Sequence, residues 1–227
     1  MEQLTHHLPS ALIHLVGALA FLLATPHLVT RQESAPRRAG AAFYAASVVF
    51  LLAMSAAFHW ATHRYGDRSG PSEAFRRMDL LAIWVVIAGT MTPVQLACFR
   101  GPWRWIPLGL FWVASAAGVL VKVFWFGSFS LPANFAMYVA VGLLALGCVA
   151  RAIAVHGLAF VRLLLAGWVA VAVGAVFFAL RPPDLIPEVI GQHELWHTFI
   201  LVGMACTWTW VLRTASFDPG ADAGEPA

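Results

Sequence analysis

The sequence predicts an all-α, polytopic membrane protein, a bundle of seven transmembrane helices. Three observations carry this expectation. The 227 residues are 60% hydrophobic and only 11% charged, whereas soluble domains hold about 25% charged residues. The mean hydropathy is +0.76. Seven apolar stretches follow one another, each close to the roughly 20 residues that span a hydrocarbon core as a helix, with short polar runs between them. This composition excludes a soluble enzyme and a disordered chain. The net charge of +3 is spread over many short loops with no basic stripe, so nucleic acid is not an expected partner. Cys98, Cys148 and Cys206 lie far apart in apolar runs and suggest no disulfide framework.

Irregular backbone and open strands are not tolerated against lipid. The stretches are also too long for barrel strands, so each reads as a helix. The spans are placed near 10–30, 41–62, 78–98, 105–126, 133–154, 158–180 and 193–213. The first nine residues hold no Lys or Arg, and a secretory signal needs a positive start, so the first stretch reads as a retained span. Arg31, Arg37, Arg38 and Pro36 separate it from the second. Arg64, Asp67, Gly70, Pro71, Glu73, Arg76 and Arg77 separate the second from the third. Arg100, Gly101, Pro102 and Arg104 precede the fourth. Arg181-Pro182-Pro183-Asp184 and Pro187 precede the seventh. One domain, residues 1–213, is expected, followed by a disordered tail, 214–227, rich in Asp, Gly, Pro and Ala. Trp60, Trp103, Trp105, Trp125, Trp208 and Trp210 stand at span ends, where tryptophan anchors the membrane interface.

With seven spans, the N-terminus shares one side of the membrane with the second, fourth and sixth loops. That side collects six basic residues (Arg64, Arg68, Arg76, Arg77, Lys122, Arg181) and the other collects eight. The totals do not decide orientation, but the second loop is the most basic, which tilts its side toward the cytoplasm. Lys122, near one span end, is expected to snorkel to the headgroups.

Ionisable residues inside spans are costly and mark function. Ser55 and His59 close the second span, Asp79 opens the third, and His193 and His197 open the seventh. All therefore fall at one depth, although the second and seventh spans are distant in sequence. Residues four apart share a helix face, so His193 and His197 point both imidazoles at one place, and Ser55 and His59 do likewise. Three histidines supply three nitrogens to Zn²⁺ and leave a fourth position open, the arrangement of a catalytic rather than a structural zinc. Water at such a zinc ionises near neutral pH. Asp79 is placed to handle that water, and Ser55 to donate to a substrate oxygen. His14, one turn into the first span at the same depth, is a candidate supporting residue. His6, His7, His63 and His156 read as solvated, and His27 faces the other side.

These motifs resemble the hemolysin III branch of the progestin and adipoQ receptor family, within the superfamily that includes alkaline ceramidases. The carriers are Ser55-Ala-Ala-Phe-His59, Asp79 followed by Ala88-Gly89-Thr90-Met91-Thr92-Pro93, His193-Glu194-Leu195-Trp196-His197, and Ile13-His14-Leu15-Val16-Gly17-Ala18. The resemblance implies a seven-helix bundle holding zinc on His59, His193 and His197, with Asp79 at the water and Ser55 beside it. It also implies a cytoplasmic N-terminus and metal site, and a place in membrane lipid homeostasis in a bacterial inner membrane. The expected partners are membrane lipids, one of them a substrate, and the sequence names no protein partner. The chain departs from the family at Asp79-Leu80, where Asp-His is common, and in lacking the acidic lead before the first span.

The leading expectation is a zinc-dependent hydrolase of a lipid amide or ester. The alternative is a non-enzymatic membrane-state sensor or receptor with structural zinc. His193 to His197 also reads as H-E-x-x-H, the metalloprotease helix, but no Asp-Gly pair follows to supply a further ligand, and the other motifs go unexplained. A cytolytic pore would need polar residues through the full depth of several spans, and here they gather at one face.

Overall fold

The computed structural model describes residues 7–180, 184–186 and 191–219, apart from the side chains of Leu131 and Phe135. His6, Arg181, Pro182, Pro183 and Pro187 lie outside the described residues, as does the tail from residue 220. The described chain is helical: α1 His7–Thr30, α2 Ala35–Tyr65, α3 Gly70–Cys98, α4 Gly101–Phe124, α5 Leu131–His156, α6 Leu158–Leu180 and α7 Gln192–Arg213. All seven are long and apolar enough to cross a membrane. The chain is an integral membrane protein with a seven-helix bundle.

Three helices start by the same device. Ser34, Ser69 and Ser130 each accept a hydrogen bond on their side-chain oxygen from the backbone N–H three residues on, with proline in the first turn. The serine satisfies an orphan donor, and the proline occupies a position where no donor is needed. At α3 this sets the helix start at Gly70, well before the apolar run that begins near residue 78. The intervening polar turns are helical because Glu73 pairs with Arg76 at 2.8 Å and with Arg77 at 3.4 Å on one face. Asp79 is therefore about two and a half turns inside α3 rather than at its mouth.

The helices close into a ring. α1 packs on α2 and α7, α2 on α3, α3 on α4, and α6 on α7, while α5 leans more lightly on α4 and α6. The core joins Tyr44, Val48 and Leu52 of α2, Trp84 and Met91 of α3, Phe111 of α4, and Trp208 and Val211 of α7. Without a hydrophobic drive between helices in lipid, small residues set how closely they approach. A Cβ on Gly89 would fall 2.1 Å from the Ser47 hydroxyl, and one on Gly118 would enter the Trp84 ring at 2.1–2.6 Å. The glycine of the Ala88-Gly89-Thr90 motif is thus a packing residue. α6 and α7 cross backbone on backbone: a Cβ on Gly167 would meet the Gly203 carbonyl at 2.9 Å, and one on Gly203 the Gly167 carbonyl at 3.0 Å. Neither backbone can step aside as a side chain could. Gly203→Val should lower stability by about 1–3 kcal/mol, read as a lower unfolding temperature in detergent. An unchanged temperature would show that the crossing tolerates a side chain.

Two tryptophans correct the reading of span ends. Trp60, Trp103, Trp105 and Trp125 are exposed, as anchors should be, but Trp208 and Trp210 are 6% and 1% exposed. Trp208 packs against Phe21 and Tyr44. Trp210 donates its indole N–H to the Phe160 carbonyl at 2.8 Å. Hydropathy places a ring at a depth but does not say whether it faces lipid or the neighbouring helix. Lys122 donates to Asn134 Oδ1 at 2.7 Å, joining the end of α4 to the start of α5.

The end of the bundle away from His59 is tied by arginines. Arg37 donates to the carbonyls of Thr214 and Ala215 at 3.0 and 3.2 Å and to that of Leu96 at 3.5 Å. Arg100 pairs with Asp218, and Phe217 packs on Phe160 and His156. Residues 214–219, expected to begin a disordered tail, are thus folded onto this end. The arginines use backbone carbonyls left over at the ends of α3 and α7.

Candidate metal centre

The N-terminal parts of α1, α3 and α7 and the C-terminal part of α2 share one end of the ring. A group of histidines forms there. His59 and His197 are 1% and 7% exposed. His193 Nε2 lies 2.9 Å from His197 Nε2 and 3.5 Å from His59 Nε2. The i, i+4 spacing on α7 makes the first contact, and the ring closure of the bundle makes the second. His14 is buried beside them, its ring edge-on to His197 at 4.2 Å and parallel to His59 at 5.9 Å. Ring nitrogens of His14, His59 and His197 all lie within 4.8 Å of one another, close enough that the three could hold a metal ion.

The donor set fits such an ion. Nitrogens bound to a tetrahedral zinc at 2.0–2.1 Å sit about 3.3 Å apart, and the two Nε2 spacings bracket that value. Both nitrogens of His14 and Nδ1 of His197 are buried with no hydrogen-bond partner within the protein. Buried polar atoms are almost always satisfied, and these are nitrogens that a metal ion or a water could satisfy.

The other sequence candidates, Ser55 and Asp79, are paired with each other. Ser55, 3% exposed, hydrogen-bonds the carboxylate of half-buried Asp79. Ser55 stands one turn before His59, so this bond draws α3's carboxylate to the histidine-bearing face of α2. A hydroxyl has one proton. Here Asp79 is its partner on α3.

Three side chains read as bystanders in the sequence take part in the structure. His7, assigned to a solvated tail, places Nδ1 3.0 Å from His59 Nδ1. It thereby engages the nitrogen of His59 that faces away from His193, the usual way a ligating imidazole is held in orientation. His156, also read as solvated, bonds the Cys98 carbonyl at 2.7 Å. Glu194, the middle of the H-E-x-x-H pattern, is 1% exposed. Its carboxylate accepts from the Ser10 hydroxyl at 2.7 Å and from the Gly191 N–H at 2.9 Å. Both oxygens are thus used in capping α7 and tying it to α1, and neither is poised as a protease base. The i, i+3 relation of Gly191 and Glu194 was the available signal for the cap. The partner Ser10 has no sequence signal.

Comparison with known proteins agrees with the motifs. A profile described as "Haemolysin-III related" matches residues 3–208. Hemolysin-3 of Bacillus cereus is 30% identical over 215 residues, covering 91% of this chain and 92% of that protein. A hemolysin-3 homolog of Bacillus subtilis (strain 168) is 26% identical over 215 residues, covering 93% and 95%. With nearly the whole bundle matched, the histidine-bearing ends of α1, α2 and α7 included, the chain belongs to the haemolysin-III-related family.

Proposed function

We propose that the protein is a zinc-dependent hydrolase of a lipid amide or ester, acting at the membrane interface in the maintenance of lipid composition. The observation that carries this reading is the approach of His193 Nε2 to the Nε2 atoms of both His197 and His59, at 2.9 and 3.5 Å, one turn along α2 from the Ser55 that partners Asp79. His59, His193 and His197 would hold the ion. Bound zinc supplies Lewis-acid polarisation of a carbonyl and a water of lowered pKa. The protein residues do the rest. Asp79, oriented by the Ser55 hydroxyl, accepts the proton of the attacking water and can return it to the leaving amine or alkoxide. The apolar walls of α2 and α3 exclude bulk water, and the acyl chain lies along the bundle while its carbonyl meets the histidine end.

The last turn of α2, with Arg64, and the α2–α3 connection, with Arg68, lead into Arg76 and Arg77 at this same end. That supports a cytoplasmic site and N-terminus in a bacterial inner membrane. The membrane-sensor reading with structural zinc has one observation in its favour, the fourth histidine, His14.

The test uses the full chain in lipid nanodiscs, incubated with N-acyl sphingoid, phospholipid and acylglycerol substrates. Free fatty acid is measured by mass spectrometry before and after chelation. Release that stops on chelation and returns with zinc is expected. A metal-loaded protein that releases no fatty acid from any of the three classes would overturn the hydrolase.

A further inference from the structure

We propose that His14 supplies a fourth nitrogen to the metal at rest, so that the seating of α1 sets whether the site is closed or has a position open to substrate. The inference rests on the metal reading of the same site and adds its regulation. His14 is 2% exposed, and neither ring nitrogen has a hydrogen-bond partner within the protein. Its ring faces those of both His59 and His197, with a nitrogen inside the same 4.8 Å group. An imidazole placed there without partners is costly unless the ion takes one of its nitrogens.

The approach of α1 is built for this placement. Ser10, His14 and Gly17 follow at i, i+4 and i+7 and share one helix face. On one side of His14, Ser10 is fastened to Glu194, three residues before His197 on α7. On the other, Gly17 lets α1 sink against α7, since a Cβ there would meet Leu201 at 2.6 Å and Leu52 at 3.4 Å. These two contacts bracket His14 and press it toward His197. The opposite face of α1 is exposed, with Val16 at 65% and Leu23 at 81%. α1 can therefore exchange contacts with α7 for contacts with lipid, which α3, walled in by α2 and α4, cannot.

Four nitrogens complete a tetrahedral zinc, and a complete tetrahedron has no place for substrate. Hydrolysis then requires His14 to leave, and lipid packing around α1 becomes the natural control.

The test is spectroscopic. Cobalt(II) replaces zinc in the full-length protein, and visible absorption is followed as azide is added. Wild type is expected to show a four-coordinate spectrum that azide does not change. His14→Ala should keep its cobalt and gain azide-sensitive bands. Gly17→Leu, which lifts α1 without touching a ligand, should do the same, with His14→Gln as the milder ligand replacement. X-ray absorption of the wild-type zinc protein counts imidazoles independently of any variant. Azide bands in wild type equal to those of His14→Ala, or a count of three imidazoles, would overturn the proposal and leave the hydrolase standing. A wild type that binds neither metal would overturn both.

Discussion

Asp79→Ala is expected to leave the metal in place while cutting turnover of the lipid substrate about 100- to 10,000-fold, the range of a general base. Asp79 is partnered by the Ser55 hydroxyl, so its removal is expected to free one hydroxyl and leave the imidazoles in place. The informative measurement is the pair of values, metal per chain and initial rate, on the same preparation. Metal retained with the rate lost places the carboxylate in the chemistry. A rate that survives would move proton handling elsewhere. Metal lost together with the rate would make Asp79 part of the scaffold of the ion. Asp79→Asn should behave like Asp79→Ala in rate, because an amide keeps the hydrogen-bonding shape but accepts no proton.

His197→Ala should abolish both metal binding and turnover. The His197 ring contacts those of His14, His59 and His193, and its Nε2 is only 2.9 Å from that of His193. Its removal takes away a nitrogen and the ring that aligns two others. The loss of affinity should exceed the roughly 10- to 100-fold typical of losing a supporting partner. His7→Ala, which removes a contact to the outer nitrogen of His59, supplies that smaller value for comparison. Metal analysis after dialysis against a graded chelator distinguishes the two. Retention of stoichiometric zinc by His197→Ala would mean that the ion does not depend on this ring.

Much of this was legible in the residues. Seven apolar runs broken by arginine, proline and glycine were enough for the fold class, because lipid leaves the backbone no other regular option. Spacing did the same for the histidines. His193 and His197 share a face by helical geometry alone, and the common depth of Ser55, His59 and Asp79 followed from counting spans. What could not be read depends on which helix lies beside which, and on rotation about each axis. Nothing local to Ser10 names Glu194 as its partner, 184 residues away. His7 looked like tail because a polar start gives no hint that α1 already runs beside the end of α2. Trp208 and Trp210 have the hydropathy of anchors yet face inward, since Trp210 finds the Phe160 carbonyl there. The early start of α3 was masked by its charge: Glu73, Arg76 and Arg77 look like a loop until their i, i+3 and i+4 pairing is counted.

The arginine ties at the far end carry a consequence for electrical insulation. Arg37 spans the ends of α3 and α7, and between it and the histidines lie Tyr44, Val48, Leu52 and Trp84, each at most 1% exposed. An ion leaving the histidine end along this path would shed its hydration with no ring of carbonyls or carboxylates to replace it, a cost far beyond thermal energy. The bundle is built like a cup with a sealed base. The histidine end can lie toward one leaflet and still leave the potential across the bilayer intact.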